Sequence, residues 1–215
     1  MEQAFVANAL KNEKAPKGWP AALLMFHLGM WRERMRNALT DLAEGRTPSP
    51  PPLEQQDELN DAELANGIGT PLADAAARSD HLLAEIIALY EKLGERPLRW
   101  YRWENTTDAV LGNSYTHPRN HIFEYLRENG DVEGAWRLVG AAVPEMLAAS
   151  ENPAVHATAH YNLACALVLR GTLDAAISEL EEVFRLRPEL KAHAAQDSDL
   201  GALRDDSRFQ ELVKS

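Results

Sequence analysis

The 215-residue chain contains a single cysteine, Cys165, and this scarcity limits both its cross-links and its compartment. One cysteine cannot form an intrachain disulfide, so a reducing compartment is the simplest expectation. The N-terminal segment carries Glu2 and lacks the charged-then-apolar pattern of an export signal. We therefore expect a cytoplasmic protein.

Long apolar runs and an excess of basic residues are also missing. The longest apolar stretch, around Pro20 to Met30, is interrupted by His27 and followed by Arg32, Glu33 and Arg34. It is too short to cross a bilayer. Lys and Arg number 22 against 33 Asp and Glu, which gives a net charge of −11. A nucleic-acid partner would call for a basic face, so we expect neither nucleic acid nor membrane as a partner.

Sustained two-residue alternation of apolar and polar residues is absent, which predicts an all-α fold without a sheet. Apolar residues instead recur every three or four positions in several segments. One predicted helix opens at Trp19-Pro20. A second follows Thr70-Pro71, with Thr70 as N-cap and Pro71 as first helical residue. A third runs from Tyr115 to about Glu128.

Three histidines form the pattern that most clearly indicates a chemistry. His117 and His121 are four residues apart, which places them on one face of a helix. His27 lies in the apolar stripe of an earlier helix. Three imidazoles converging on one divalent cation would leave a coordination position open for water or substrate, as in catalytic sites. Glycine-rich phosphate loops, Gly-x-Ser-x-Gly elbows and Cys-x-x-Cys pairs are absent from the sequence.

Each histidine also has an ordinary interpretation. A core histidine with one good hydrogen bond explains His27 taken alone, and a lone i, i+4 pair is common on surface helices. The combination favours a metal, because an unpaired imidazole among apolar residues is costly. Pro118 leaves two alternatives open. It is harmless in the first turn of a helix that starts near His117, but in a helix that starts earlier His117 is displaced.

Other residues near the three histidines have candidate supporting roles. A ligating histidine usually donates its second ring N–H to an oriented acceptor, and Asn113, Asn120 and Glu124 are near enough in sequence to serve. His81 is a weaker candidate for a fourth ligand, with a surface role favoured. Cys165 lies among alanines and leucines, which favours a buried, inert thiol.

Two short motifs resemble a known family. Gly18-Trp19 precedes a helix with Phe26-His27-Leu28, and Gly112-Asn113-Ser114-Tyr115-Thr116-His117 is followed by His121-Ile122. In order and spacing these resemble the DinB-like (YfiT-like) superfamily of four-helix metal proteins, and look most like the subgroup that includes colibactin self-resistance proteins. The resemblance covers about residues 1–130. It implies a four-helix bundle that binds nickel, zinc or iron through His27, His117 and His121.

The same resemblance implies a range of activities. Members of the family include thiol-dependent transferases, a maleylpyruvate isomerase and a cyclopropane-opening hydrolase. For this chain we expect a metal that activates water or a low-molecular-weight thiol, for hydrolysis or conjugation of a small electrophile. The choice between the two reactions rests on the resemblance alone.

The C-terminal region resembles a tetratricopeptide repeat. Tyr161-Asn162-Leu163-Ala164 opens the first helix of the pattern, Gly171 makes the turn, Ala176 is the small residue between the helices, and Pro188 closes the unit. A single repeat needs a neighbour to cover its apolar face. We therefore predict a second domain over residues 131–215.

A possible neighbour lies just upstream. Gly130-Asp131 followed by Ala135 parallels Gly171-Thr172 followed by Ala176. Residues 197–209 resemble the capping segment that often ends such arrays. Two interpretations of this region remain open. It forms a groove that binds a peptide or protein partner, or it is a short array that only caps the bundle.

The rival to an enzyme is a non-enzymatic interaction protein whose bundle has lost its metal. That hypothesis requires an exposed apolar groove beside Tyr161 and Cys165, and a groove filled by the tail from Ala192 onward would argue against it. A homodimer is compatible with either hypothesis.

Overall fold

The computed structural model describes residues 1–11, 16–52, 55–101 and 103–214, and helices dominate this part of the chain. The prediction of a mostly helical protein is therefore confirmed. The chain divides into two compact units, Met1–Ala135 and Trp136–Ser215. Among the described residues, no helix has both the length and the apolar character needed to cross a membrane.

Helix α2 is the central element of the first unit. The helices are α1 (Glu2–Ala9), α2 (Ala21–Ala43), α3 (Gln56–Leu64), α4 (Leu72–Leu93), α5 (Thr106–Leu111) and α6 (His117–Glu128), and α7 (Val132–Ala149) begins at the end of the unit. Met25, Met30 and Trp31 point to different sides of α2, yet all three are buried. Buried residues on several sides of one helix require neighbours on each of those sides.

Pro20 and Pro71 each occupy the N-cap position, immediately before α2 and α4. The sequence predicts Pro71 one residue further into the helix, with Thr70 as the N-cap. Both prolines have extended ψ angles, 147° and 142°, so each ends the preceding segment rather than starting the helix. Errors of one residue are usual at helix ends.

Helices α2 and α4 run parallel. Arg32 on α2 contacts Ser79 on α4, and the later residue Arg36 contacts the later residue Glu85. Parallel neighbours need a long connection. The segment between the two helices supplies it and includes α3.

Helix α6 runs antiparallel to α2. The backbone N–H of Lys17, just before α2, donates to Asn129 just after α6, over 2.8 Å. Further along, His27 contacts His117 at the start of α6. This antiparallel pairing brings the histidines of the two helices to the same level.

A short hairpin departs from the expectation of an all-α fold without a sheet. Strand β1 (Pro97–Trp100) pairs antiparallel with β2 (Trp103–Asn105). Strands of four and three residues are too short to show the two-residue alternation that reveals strands in a sequence. Tyr101, immediately after β1, has a φ of +52°, which is uncommon for a residue with a side chain.

The second unit is built on a helical hairpin. It contains most of α7, followed by α8 (Pro153–Arg170), α9 (Leu173–Leu186), α10 (Lys191–Ala194) and α11 (Ser207–Lys214), with 3₁₀ turns at Pro188–Leu190 and Ser198–Leu203. Gly171 turns the chain between α8 and α9 at a φ of +80°, a conformation that favours glycine. Ala176 is fully buried, so the small side chain allows the two helices to approach closely.

The tail of the chain covers the face of α8 that carries Tyr161 and Cys165. Leu200, Leu203 and Phe209 are buried in one cluster with residues of α8 and α9, and Tyr161 and Cys165 pack against that cluster. The hydroxyl of Tyr161 donates to the carboxylate of Asp197 over 2.7 Å. A peptide partner on this face would have to displace the tail.

Candidate metal centre

Three imidazoles from two helices converge in the first unit. His27 lies on α2, and His117 and His121 lie one turn apart on α6. The Nε2 atom of His117 is 3.1 Å from Nε2 of His27 and 2.9 Å from Nε2 of His121. One nitrogen from each of the three rings lies within 4.8 Å of the others. The three histidines are therefore close enough to bind one metal ion.

These separations match those of ligands around a cation. Two nitrogens each bound about 2.1 Å from a metal are about 3.0 Å apart at a right angle and about 3.4 Å apart at the tetrahedral angle. The two observed distances fall at the right-angle end of that range. Both distances are therefore compatible with a cation bound by His117 and each of the other two rings.

Hydrogen bonds alone do not account for this arrangement. A neutral imidazole nitrogen offers either one in-plane hydrogen or one in-plane lone pair, enough for one well-aligned hydrogen bond. Nε2 of His117 has two ring nitrogens within 3.1 Å. Three lone pairs directed at one cation would satisfy all three atoms at once.

The surroundings keep all three imidazoles neutral. Burial, followed by the charges of His121 and Arg34, lowers the pKa of His27 to about 3. Burial is also the main reason that the pKa values of His117 and His121 lie below the ordinary value. Only a neutral imidazole has a lone pair for a metal, so protons compete weakly for these rings near neutral pH.

Pro118 is accommodated by a widened helical turn. Helix α5, a π turn at Gly112–Thr116 and α6 follow one another without a break. The N–H of His117 donates to the carbonyl of Gly112, five residues back, and His117 has helical dihedral angles. The helical run thus starts well before His117, which is the alternative that predicted displacement. The π turn absorbs the extra residue, so His117 still faces His27 and His121.

Gly112 is required at the start of the π turn. A Cβ atom built on Gly112 would lie 2.5 Å from Nε1 of Trp103, in the hairpin. The absence of a side chain therefore allows the hairpin to pack directly against the turn. This contact links the β1–β2 hairpin to the helix that carries two of the histidines.

The three predicted hydrogen-bond partners of the histidines have other roles or positions. Asn113 donates to the backbone carbonyl of Trp31 and accepts from the hydroxyl of Ser114. Asn120 and Glu124 have exposed side chains. Nδ1 of His27 is buried without a hydrogen-bond partner among the described residues. The structure therefore assigns none of the three as a partner of His27.

Aromatic rings surround the three histidines. Trp19 lies edge-on to His27, with ring centroids 5.2 Å apart, and is stacked on His121 at 6.0 Å. Trp31 contacts His117 at 5.5 Å and also contacts Tyr101 of the hairpin. Trp31 is buried, whereas Trp19 is 40% exposed. Trp19 thus lies between the histidines and solvent.

The remaining sequence candidates lie elsewhere. His81 is largely exposed and faces Glu85 at 3.6 Å, so it is not a fourth member of the cluster. In the second unit, His160 pairs with Glu179 at 2.6 Å. Burial, with smaller contributions from Asp197 and Asp199, raises the pKa of Cys165 to about 12, which agrees with an inert thiol.

Arg32 is a residue of this region that the sequence analysis misjudged. It was read as part of the charged end of an apolar run, but it is fully buried. Its position, four residues after Leu28 and three before Met35, places it on the same buried face and was the signal available in the sequence. The guanidinium is paired with Glu2 of α1 at 2.6 Å.

The chain matches no protein-family model, no curated protein and no solved structure. Its function must therefore be argued from its own residues and their geometry.

Proposed function

We propose that the first unit is a metal-dependent enzyme of the DinB-like type, with His27, His117 and His121 as the ligands of one divalent cation. The observation that carries the proposal is the convergence of three Nε2 atoms, with His117 at 3.1 and 2.9 Å from the other two. Three protein ligands leave a coordination position open, as catalytic sites require. Nickel, zinc and iron all suit imidazole ligands.

The chemistry proposed is hydrolysis or thiol conjugation of a small electrophile. A divalent cation at this site would lower the pKa of a water molecule or thiol and polarise the electrophile. The chain itself contributes three neutral imidazoles, fixed on two helices. Trp19 and Trp31 add apolar surface beside the rings, which favours a substrate with an apolar or planar part.

The arrangement of helices supports the family assignment. Helix α2 contacts α4 and α6, and α1 contacts α4; α2 and α4 are parallel, with a long connection between them. Such a crossover occurs in four-helix bundles whose metal ligands project inward from facing helices. Fold alone does not establish chemistry, so the argument for function rests on the histidines.

For the second unit we propose a short tetratricopeptide-like array. Gly130 and Gly171 both have positive φ angles, and Ala135 and Ala176 are both fully buried. These matching positions support the interpretation that a degenerate repeat, which contains Gly130 and Ala135, precedes the complete repeat that contains Gly171 and Ala176. The tail occupies the face beside Tyr161, which weighs against the alternative of a peptide-binding scaffold.

Activity can be tested on metal-loaded protein with a panel of small electrophiles, such as epoxides and haloarenes, each with and without a low-molecular-weight thiol. We expect turnover of at least one class that is lost in His121→Ala and retained in His81→Ala. His81 is the matched control because it is a helical histidine outside the cluster. A protein that binds metal stoichiometrically but accelerates none of these reactions would contradict the enzymatic part of the proposal.

A further inference from the structure

The buried guanidinium of Arg32 joins three other elements of the first unit. Its two terminal nitrogens form a bidentate ion pair with Glu2 of α1, at 2.8 and 2.6 Å. Nη1 also donates to the hydroxyl of Ser79 on α4 over 2.7 Å. Nη2 lies 3.5 Å from the backbone carbonyl oxygen of Ser114, in the π turn. Arg32 is therefore held by α1 and α4 while it reaches toward the segment that precedes His117.

Stability alone is a weak explanation for this ion pair. The free-energy cost of removing two charges from water offsets much of their mutual attraction. Proteins in which apolar residues replace such a pair are often no less stable. Besides Glu2, the guanidinium contacts Ser79 and the carbonyl of Ser114. This carbonyl lies three residues before a proposed metal ligand.

Pro118 removes one of the backbone donors that could reach this carbonyl. In an α-helix, the N–H of residue 118 would donate to the carbonyl of residue 114, and proline has no N–H. The guanidinium of Arg32 supplies a donor to that same carbonyl from a neighbouring helix. A planar guanidinium can reach Glu2, Ser79 and Ser114 together because its N–H groups form a fixed fork.

We propose that Arg32 is a positioning residue for the metal centre. Its guanidinium acts as a donor to the carbonyl of Ser114, a role that an amide N–H at residue 118 could have had. This contact fixes the turn that presents His117. The inference rests on the proposed function, since its effect is exerted through a metal ligand. Glu2 and Ser79 hold the guanidinium in place, and Arg32 itself contacts neither metal nor substrate.

Arg32→Lys is the informative substitution. Lysine keeps the charge and can pair with Glu2, but its single ammonium cannot span all three partners. Zn²⁺ would be titrated into metal-free protein in competition with a chelator, at a temperature where circular dichroism shows every variant folded. We expect the Kd to rise about 10- to 100-fold, as for other residues that orient a ligand. Arg78→Lys is the control, because it alters a different ion pair between α4 and α2, at 2.6 Å from Glu33, and should leave the Kd unchanged.

Pro118→Ala makes the test specific, because it restores an N–H at position 118. In that background Arg32→Lys should have a much smaller effect on the Kd. The absorption bands of bound Co²⁺, which report ligand geometry, should shift in Arg32→Lys and return toward those of the wild type in the double variant. A variant that is merely less stable would not show this rescue.

The outcomes separate the inference from the proposed function. Wild-type protein that binds no Zn²⁺ would contradict the metal site itself. Wild-type protein that binds Zn²⁺ while Arg32→Lys has the same Kd and the same Co²⁺ spectrum would overturn the role of Arg32. If Arg32→Lys weakens Zn²⁺ binding equally with and without Pro118→Ala, the role of Arg32 is overturned as well. If Arg32→Lys does not fold, Glu2→Gln can be used instead, because it removes the charge that holds the guanidinium. It should also raise the Kd for Zn²⁺.

Discussion

Burial of neutral His27 predicts that the metal-free protein loses stability in mild acid. Its pKa is lowered from 6.5 to about 3 in the folded state. The unfolded chain therefore takes up a proton near pH 6.5, whereas the folded chain does so only near pH 3. Between these values the proton favours the unfolded state, so the free energy of unfolding falls as the pH falls.

The size of this effect follows from the two pKa values. For His27 alone, the loss between pH 7 and pH 5 is about 2 kcal/mol, because each pH unit inside the window contributes about 1.4 kcal/mol. His117 and His121 change stability in the same direction, since their pKa values are also lowered.

Urea unfolding at pH 5, 6 and 7 in the presence of a chelator measures this dependence directly. His27→Gln removes the titrating group, so we expect its stability to fall by about 2 kcal/mol less than that of the wild type over the same range. His81→Gln is the matched control, because His81 is exposed, and it should behave as the wild type does. The same pH dependence in His27→Gln and in the wild type would refute the view that His27 is held neutral by burial.

Three further substitutions or reactions test other parts of the structure. Gly112→Ala should lower the free energy of unfolding by about 1–3 kcal/mol, because the added Cβ meets the ring of Trp103. An unchanged midpoint in urea unfolding would contradict this contact. Cys165 should react with iodoacetamide at pH 8 roughly a thousandfold more slowly than a free thiol, because its raised pKa leaves little thiolate. Rapid labelling, followed by mass spectrometry, would contradict the raised pKa. Leu200→Ala should cost about 2–5 kcal/mol in the same unfolding assay, and a loss below about 1 kcal/mol would show that the tail is not part of the core.

Local patterns in the sequence predicted the helices and the convergence of the histidines. His117 and His121 are one turn apart in any helical segment, and His27 lay on an apolar stripe that had to face inward. The first residues of α2 and α4 differed slightly from expectation, because Pro20 and Pro71 are N-cap residues. These features depend on spacing within one helix, which is what a single sequence records best.

The features that the sequence analysis missed depend on contacts between distant segments. The π turn lies just before Pro118, a local feature of the sequence, but the packing of Trp103 against Gly112 is a contact that the local sequence does not reveal. The β1–β2 hairpin is too short for its alternation to be recognised. The buried position of Arg32 depends on Glu2 and Ser79, which lie 30 and 47 residues away.

The central claim is that the three histidines bind a metal ion, and elemental analysis of protein purified without a histidine tag tests it most directly. The account predicts close to one nickel, zinc or iron per chain, lost in a His117→Ala/His121→Ala double variant that remains folded. It also predicts that His81→Ala keeps the metal, since His81 lies outside the cluster. No stoichiometric metal in the wild type, even after incubation with each ion and removal of the excess, would contradict the account.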